Sequence, residues 1–166
     1  RKRKASTRDP RDRDVEIADR LCERGWFGQK TGRGFYLYEE GSRTGIEDPE
    51  VLDIIAGERS TKGIRAREYS PEEIIRRYLG AMVNEAAKVL EEKVARCPSD
   101  IDVVQHYGYG FPRYRGGPMK YADMNGIRKI VEDIEEFSVE DPFFWNPSKL
   151  LKTMAAQGQT FEDLNL

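Results

Sequence analysis

His106 is the only histidine in the 166-residue chain, so a Ser–His–Asp triad, a Cys–His pair or a multi-histidine zinc site would have to include it. It lies near the C-terminal end of a predicted helix, where the helix dipole favours a cationic imidazole. A catalytic base is one interpretation of His106, although the sequence shows no evident carboxylate or nucleophile partner for it. We therefore expect this chain to contain no catalytic residue and no metal ligand.

Residues 28–34 form a glycine-rich loop, GQKTGRG, whose Lys-Thr pair invites comparison with phosphate-binding loops. In a Walker loop, however, the Lys-Ser/Thr pair follows the last glycine and opens a helix, and a dinucleotide-binding fingerprint lies between a strand and a helix. Here Lys30 and Thr31 precede Gly32, and the loop leads into the extended residues 35–38. This order favours a tight turn over a phosphate cradle, and we expect no cofactor site in the chain.

Acidic and thiol side chains supply further candidates. Glu85 lies on a predicted long helix close to its apolar stripe, where a carboxylate is either catalytic or a structural acceptor for a neighbouring helix end or loop. Asp100 and Asp102 fit helix caps. Cys22 and Cys97 have no zinc-site spacing, so they are interpreted as reduced thiols of a cytoplasmic protein.

The charge balance limits the classes of partner. The chain has 28 Lys and Arg against 30 Asp and Glu, a net charge of -2, which excludes a globally basic nucleic-acid-binding protein. No apolar run approaches the ~20 residues of a membrane span, and no signal-peptide core follows the N-terminus. Because the chain opens with Arg1, we expect it to be a piece of a longer protein.

The N-terminal part of the chain predicts two short helices around an extended segment. Apolar residues recur at helical spacing over residues 14–24. A short extended segment or hairpin is expected near residues 34–46. Asp48 then caps a helix that ends at Ala56, and residues 57–69 have the composition of a polar linker.

The longest predicted element begins at Ser70, which forms a capping box with Glu73 and places Pro71 at the first helical position. Apolar residues then recur in two neighbouring rows as far as Pro98, and together these rows predict a wide buried stripe. The two rows are Ile74, Tyr78, Met82 and Ala86, and Ile75, Leu79, Val83, Ala87, Leu90 and Val94.

Shorter helices complete the prediction. They are expected over residues 99–107 and 118–125, after Gly126, and in a last segment capped by Asn146 and Pro147. No strand–helix–strand alternation occurs anywhere in the sequence. The chain is therefore predicted to be an all-α module with at most one short hairpin.

Four segments in order carry a resemblance to a known family: GQKTGRGFYLY (28–38), NEAAKVLEEKVA (84–95), DIDVV (100–104) and GYGFPRYRGGPMKYAD (108–123). They resemble the C-terminal region of 3-hydroxyacyl-CoA dehydrogenases. The nearest likeness is to the multifunctional enoyl-CoA hydratase/3-hydroxyacyl-CoA dehydrogenases of fatty-acid β-oxidation. The resemblance implies an all-α fold of the kind shared with the C-terminal domain of 6-phosphogluconate dehydrogenase.

The resemblance also implies how the chain is organised. Residues 1–13 would be a mobile basic tail, 14–45 the end of a truncated first helical repeat, 46–69 a short helix and linker, and 70–166 a complete second repeat. In single-repeat members the helical domain dimerises, and a tandem repeat makes the same packing within one chain. The implied partners are the protein's own NAD-binding and hydratase domains, an acyl-CoA substrate, and a second copy bound through helical faces. Nucleic acid and membrane are not among them.

The resemblance assigns few site residues to this chain. The family's catalytic His–Glu dyad lies on the NAD-binding domain, which is absent here, so NAD is expected only in the parent enzyme. A substrate-positioning Asn of the first repeat aligns with Arg76, which implies a catalytically silent second repeat. The tyrosine before G-x-G-F-P contacts substrate in bacterial members, and Tyr107 occupies that position. The alternative is that Tyr107 packs under the following loop as a core aromatic residue.

The implied function follows from these assignments. The chain resembles a C-terminal fragment of an NAD-dependent enzyme that oxidises 3-hydroxyacyl-CoA to 3-ketoacyl-CoA. Such a fragment would supply scaffold, interdomain or dimer contacts and part of the acyl-CoA cleft, and it would be inactive alone. The alternative from another class is a stand-alone, non-catalytic helical interaction module.

Overall fold

The computed structural model describes residues 15–165, so the predicted basic tail over residues 1–13 lies outside the described residues. The chain divides after Glu68 into two compact units. α-Helices dominate the described residues, and their sheet has only two short strands. The predicted all-α fold class is thus confirmed.

The first unit contains a small antiparallel hairpin between two helices. In the hairpin, Tyr36 lies opposite Glu47 and Leu37 lies opposite Ile46. This confirms the short hairpin expected near residues 34–46. The elements of this unit, in chain order, are α1 (Ile17–Glu23), β1 (Tyr36–Leu37), β2 (Ile46–Glu47) and α2 (Pro49–Thr61).

Helix α2 begins as predicted but is longer than predicted. Asp48 is its N-cap, and its side chain accepts from the backbone N–H of Glu50 at 3.0 Å. The helix continues to Thr61 rather than ending at Ala56. The extra turn carries the buried carboxylate of Glu58, which pairs with Lys62 at 2.6 Å. This ion pair stabilises the last turn of α2, which lies in the segment that its polar composition predicts to be a linker.

The second unit packs four of its helices around one core. Helix α3 lies against α5, α6 and α7, and α4 lies against α5. Val83, Ile134, Leu151 and Met154 are fully buried at the centre of this core. The helices are α3 (Pro71–Glu91), α4 (Pro98–Tyr109), α5 (Pro118–Asn125), α6 (Ile127–Ser138) and α7 (Lys149–Gln157).

The buried stripe of α3 is narrower than the sequence pattern predicts. Leu79 and Val83 are buried, whereas Ile74 and Tyr78 are more than half exposed and Met82 is half-buried. The core-facing residues of α3 are Leu79, Val83 and Ala87 of the second row together with Ala86 of the first, whereas Ile75 of the second row is exposed. The prediction that both rows are buried is therefore wrong for this chain.

Three predicted helix boundaries also need correction. Helix α3 ends at Glu91 and not near Pro98, because Lys93 adopts a left-handed φ of 57° and acidic residues at a helix C-terminus oppose the dipole. The N-cap of α4 is Cys97 and not Ser99. The N-cap of α7 is Ser148, whose Oγ accepts from the N–H of Leu151, and not Asn146.

The Ser70 cap is confirmed and gives a direct test. The N–H of Glu73 donates to Ser70 Oγ at 3.1 Å. We expect Ser70→Ala to lower the free energy of unfolding by about 1 kcal/mol, because one N–H at the start of α3 loses its acceptor. Urea titration measures this change, and Ser99→Ala is the matched control because Ser99 is not an N-cap. Equal losses in the two variants would contradict the assignment of the cap.

Candidate functional site

An exposed apolar surface runs along α3 and α4 of the second unit, and we call it the α3–α4 face. Three adjoining cavities of about 540, 480 and 740 Å³ open on it, and Met82 lines all of them. Exposed apolar surface of this extent is typical of binding and interaction sites. Its exposed members are Ile74, Ile75, Tyr78, Val94, Val104, Tyr109, Phe143 and Phe144.

The loop after α4 forms one wall of the first cavity. Gly110 ends α4 with a left-handed φ of 68°, and the N–H of Phe111 donates back to the carbonyl of Gln105 at 3.0 Å. This turn buries the ring of Phe111, while Tyr109 and Arg115 also line the cavity. The glycine and proline spacing of the sequence thus produces a shaped wall.

His106 is engaged in holding this loop. Its Nδ1 lies 3.1 Å from the carbonyl oxygen of Phe111, so this nitrogen donates, and the two rings meet edge to face. A carboxylate one helical turn earlier, Asp102, also acts on the loop. Asp102 accepts from the backbone N–H groups of Met119 at 2.8 Å and Lys120 at 3.0 Å.

Asp102 is therefore a cap, as the sequence predicts, but it caps α5 and not its own helix. Burial raises the pKa of Asp102 above its usual range, although the two N–H donors act in the opposite direction. Gly117 makes this contact fit. A Cβ at Gly117 would lie 2.3 Å from the Asp102 carboxyl carbon, and the residue has a φ of 94°. The sequence shows the glycine, but the contact to Asp102 becomes visible only in the structure.

Tyr107, the predicted substrate-contact residue, is 82% exposed in the last turn of α4. The alternative that it packs under the loop as a core aromatic residue is wrong. Tyr107 does not line the 540 Å³ cavity, whereas Tyr109, two residues later, does. Tyr109 lies in the same glycine- and aromatic-rich segment as Tyr107, so the sequence offered it equally as a lining residue.

Arg76 is held in a structural ion-pair network. Its guanidinium donates to Asp133 at 2.6 Å and to Glu136 at 2.5 Å, and Lys129 contacts the same Asp133 carboxylate. Burial raises the pKa of Asp133, but the hydrogen bonds from Arg76 and Lys129 outweigh it and hold the pKa below its usual range. Arg76 thus ties α3 to α6.

Glu85 is exposed, with its carboxylate 3.5 Å from Lys88. One alternative for Glu85 was a structural hydrogen bond to a neighbouring loop. Asn84, the residue before it, makes that contact instead. Asn84 is buried, donates to the carbonyl of Asn146 at 2.9 Å and accepts from the N–H of Ser148 at 2.8 Å. Asn84 thus joins α3 to the start of α7.

The glycine-rich loop of the first unit uses its own backbone donors. The N–H groups of Gly28, Thr31, Gly32 and Gly34 donate to carbonyl oxygens within residues 28–36 at 2.9 to 3.1 Å. A phosphate cradle needs such donors to be free. The geometry is that of the predicted tight turn.

Arg33 anchors this loop to α2. Its guanidinium stacks 3.6 Å from the ring centroid of Trp26, and its Nε donates to the buried Asp48 at 2.6 Å. This hydrogen bond holds the pKa of Asp48 below its usual range. The loop therefore positions the N-cap of α2.

No group of three or more His, Cys, Asp or Glu side chains is placed to hold a metal ion within residues 15–165. Among the same residues, no helix has both the length and the apolar character needed to cross a bilayer. Cys22 and Cys97 are both free thiols.

Comparison with known proteins identifies the second unit. A family model described as 3-hydroxyacyl-CoA dehydrogenase, C-terminal domain, matches residues 74–162, which include most of α3 and all of α4 to α7. The chain belongs to this family. The loop after α4 and the α3–α4 face therefore lie within the 3-hydroxyacyl-CoA dehydrogenase C-terminal domain.

Similar full-length proteins extend well beyond this chain. A peroxisomal bifunctional enzyme of Danio rerio is 43% identical over 145 residues, 86% of this chain and 20% of the relative. A fatty acid oxidation complex subunit alpha of Shewanella amazonensis is 36% identical over 143 residues, again 86% and 20%. A peroxisomal fatty acid beta-oxidation multifunctional protein of Arabidopsis thaliana is 34% identical over 151 residues, 89% and 21%. The chain spans about a fifth of the length of these relatives.

Proposed function

We propose that this chain is the C-terminal helical part of an NAD-dependent 3-hydroxyacyl-CoA dehydrogenase that acts in fatty-acid β-oxidation. Within that enzyme the chain serves as a structural scaffold, contacts the other domains and forms part of the wall of the acyl-CoA cleft. The observation that carries the proposal is the family match over residues 74–162. The 145 residues aligned with the Danio rerio relative make up only 20% of that protein's length. The exposed α3–α4 face supports it, because such a surface fits contact with further parts of the protein.

NAD belongs to the parent enzyme in this proposal. The described residues do not fit a dinucleotide, since they contain one antiparallel hairpin and no glycine-rich turn between a strand and a helix. The loop over residues 28–34 donates its N–H groups internally. The oxidation step is therefore assigned to residues outside this chain.

The domain organisation is part of the same proposal. Residues 14–45 are the end of a first helical repeat, 46–69 a short helix and linker, and 70–166 the second repeat. In the parent enzyme a tandem pair of repeats makes within one chain the packing that would otherwise need a second copy. We place the parent enzyme in the cytoplasm. The peroxisome is the alternative compartment, because two of the relatives are peroxisomal by name.

The parent enzyme provides the test of this proposal. We expect deletion of residues 69–166 from the full-length gene product to lower its 3-hydroxyacyl-CoA dehydrogenase activity at least tenfold. The loss follows because scaffold and cleft wall are removed together. NADH formation from 3-hydroxydecanoyl-CoA measures it. An undiminished rate in the deletion variant would overturn the assigned role. If the full-length protein itself had no dehydrogenase activity, the chain would instead be a stand-alone interaction module.

The chain on its own should not oxidise substrate. We expect no NADH formation from 3-hydroxybutyryl-CoA above that of a boiled sample, and no saturable heat in calorimetric titration with NAD⁺. Both results follow because the proposal assigns the dyad and the NAD site to the missing domain. Either a turnover rate or a micromolar dissociation constant for NAD⁺ would contradict it.

Tyr107 is proposed as a substrate contact in the parent enzyme. Its exposed hydroxyl is available to a ligand, so Tyr107→Phe should raise the Michaelis constant for 3-hydroxyacyl-CoA severalfold, or about 1 kcal/mol of binding. The melting temperature should change little because the ring is exposed. Tyr36→Phe in the first unit is the control. A lower melting temperature with unchanged kinetics would make Tyr107 structural.

A further inference from the structure

The chain passes from α2 to α3 through an exposed segment, residues 62–68, which we call the α2–α3 linker. Helix α2 ends before it at Thr61, α3 begins after it at Pro71, and the chain divides into its two units at the end of the linker. Residues 59–72 are all exposed, which is the longest such run among the residues that the structure describes. Exposed connections between folded units are the positions where proteins are preferentially cleaved.

Most of this segment has a backbone without internal hydrogen bonds. The N–H groups of Gly63 and Ile64 close the end of α2, and they donate to the carbonyls of Ser60 at 3.2 Å and Arg59 at 2.9 Å. Residues 65–69 then form no backbone–backbone hydrogen bond to any described residue. An extended peptide is bound through its main-chain N–H and C=O groups, so a protease can take residues 65–69 without opening a helix.

Three cations lie in the linker, and they differ in how far they are engaged. Lys62 is held in an ion pair with α2, whereas Arg65 forms no ion pair or side-chain hydrogen bond within residues 15–165. Arg67 donates to the carbonyl of Glu68 at 3.3 Å. A protease that cleaves after arginine holds the guanidinium against a carboxylate in its pocket. Arg65 is the cation most available to such a pocket, and the small Ala66 follows it.

We propose that the α2–α3 linker is a processing site for an endoprotease that cleaves after arginine, and that the bond cleaved is Arg65–Ala66. Hydrolysis consumes one water molecule. Its oxygen joins the carbonyl carbon of Arg65, the bond to the nitrogen of Ala66 breaks, and that nitrogen takes a proton. The products are residues 1–65, which end in a new carboxylate, and residues 66–166, which begin with a new amino group.

The second product contains the whole second unit. Its buried core extends from Leu79 to Phe161, and Ser70 caps α3 beyond the cleaved bond. Tyr69 also stays with that unit, where the Arg77 guanidinium lies 5.4 Å from its ring centroid. Cleavage therefore removes no core contact of the second unit, and we expect residues 66–166 to remain folded.

Limited trypsin digestion of the 166-residue chain tests the proposal, because trypsin has the required specificity. Mass spectrometry identifies the products, and a fragment that begins at Ala66 should appear before any cut within α3 to α7. This fragment should persist when the amount of trypsin is raised about tenfold. Circular dichroism should show that the purified fragment keeps a cooperative thermal transition.

Two variants locate the site. Arg65→Gln combined with Arg67→Gln should slow formation of the fragment at least tenfold, because the linker then offers no arginine to the pocket. Arg43→Gln is the matched control. Arg43 is also exposed and lies in a loop, but the loop is held there because the Ser42 carbonyl accepts from Gln29 Nε2 at 3.1 Å. The control should leave the rate of the linker cut unchanged.

Leu79→Ala distinguishes cleavage of the folded chain from cleavage after unfolding. It should raise the unfolded population of the second unit by a factor of about thirty or more, yet the linker cut should keep its rate because no helix has to open. The proposal is overturned if no fragment begins at Ala66, if Leu79→Ala accelerates the cut in proportion, or if the double variant is cut as fast as the unmodified chain. Degradation of residues 66–166 as fast as they are released would overturn it as well.

Discussion

Gly117→Ala should destabilise the second unit by about 3–5 kcal/mol, close to the whole stability of a small domain. The new Cβ would lie 2.3 Å from the Asp102 carboxyl group, so this side chain must leave its position. The N–H groups of Met119 and Lys120 then lose their acceptor at the start of α5. A non-glycine residue at a φ of 94° adds ~1–3 kcal/mol of backbone strain. Urea titration followed by circular dichroism measures the loss.

Gly126→Ala is the matched control for this prediction. Gly126 also precedes a helix and has a φ of 87°, but a Cβ there would meet open space. It should therefore show only the backbone strain. In an Asp102→Ala background the Gly117→Ala substitution should cost less than in the unmodified chain, because the contacts with the carboxyl group are gone and of those three contacts only the one with the Cβ of residue 102, at 2.5 Å, remains. Equal effects of the two glycine substitutions in the unmodified chain would contradict the role assigned to Asp102.

Leu79→Ala should cost about 2–5 kcal/mol, the range observed for large-to-small substitutions in protein cores. Leu79 is 4% exposed and packs in the core with Val83 and Ile134, so its removal leaves a cavity. The midpoint of urea denaturation reports the change if the slope of the transition stays constant.

Met82→Ala is the informative comparison, since the residue lies on the same helix but borders the open cavities. We expect it to cost about 1 kcal/mol, because the side chain is half-buried and its loss creates no closed void. Lys88→Ala provides the baseline. If Leu79→Ala and Met82→Ala shift the midpoint equally, the buried row of α3 has been assigned to the wrong face.

Much of the fold could be predicted from local signals. Ser70 and Asp48 are N-caps as their side chains and the following prolines indicate, and Pro118 and Gly126 bound α5 as expected. Such signals act over a few residues, so the sequence carries them almost complete. The boundary of α2 could not be predicted in this way, because Glu58 pairs not only with the nearby Lys62 but also with Arg20, which is distant in sequence.

The face that α3 buries could not be read from its periodicity. Both rows are apolar, and a helix pattern does not distinguish a core-facing row from one that contacts a partner. In the candidate site, the exposure of Tyr107 resolves one alternative left open by the sequence. The contact of the Arg115 guanidinium with the Tyr121 ring and the fit of Gly117 to Asp102 depend on distances between elements, which spacing along the chain does not report.

The two hydrogen bonds of Asn84 show when, during synthesis, the second unit can complete its fold. They join α3 to Asn146 and Ser148, 62 and 64 positions later in the chain, so neither forms until those residues have been synthesised. Until then, α3 also lacks α7, which follows Ser148 and is one of the helices that pack against it. The second unit therefore folds only when segments far apart in the sequence meet, which is the kind of contact that slows folding.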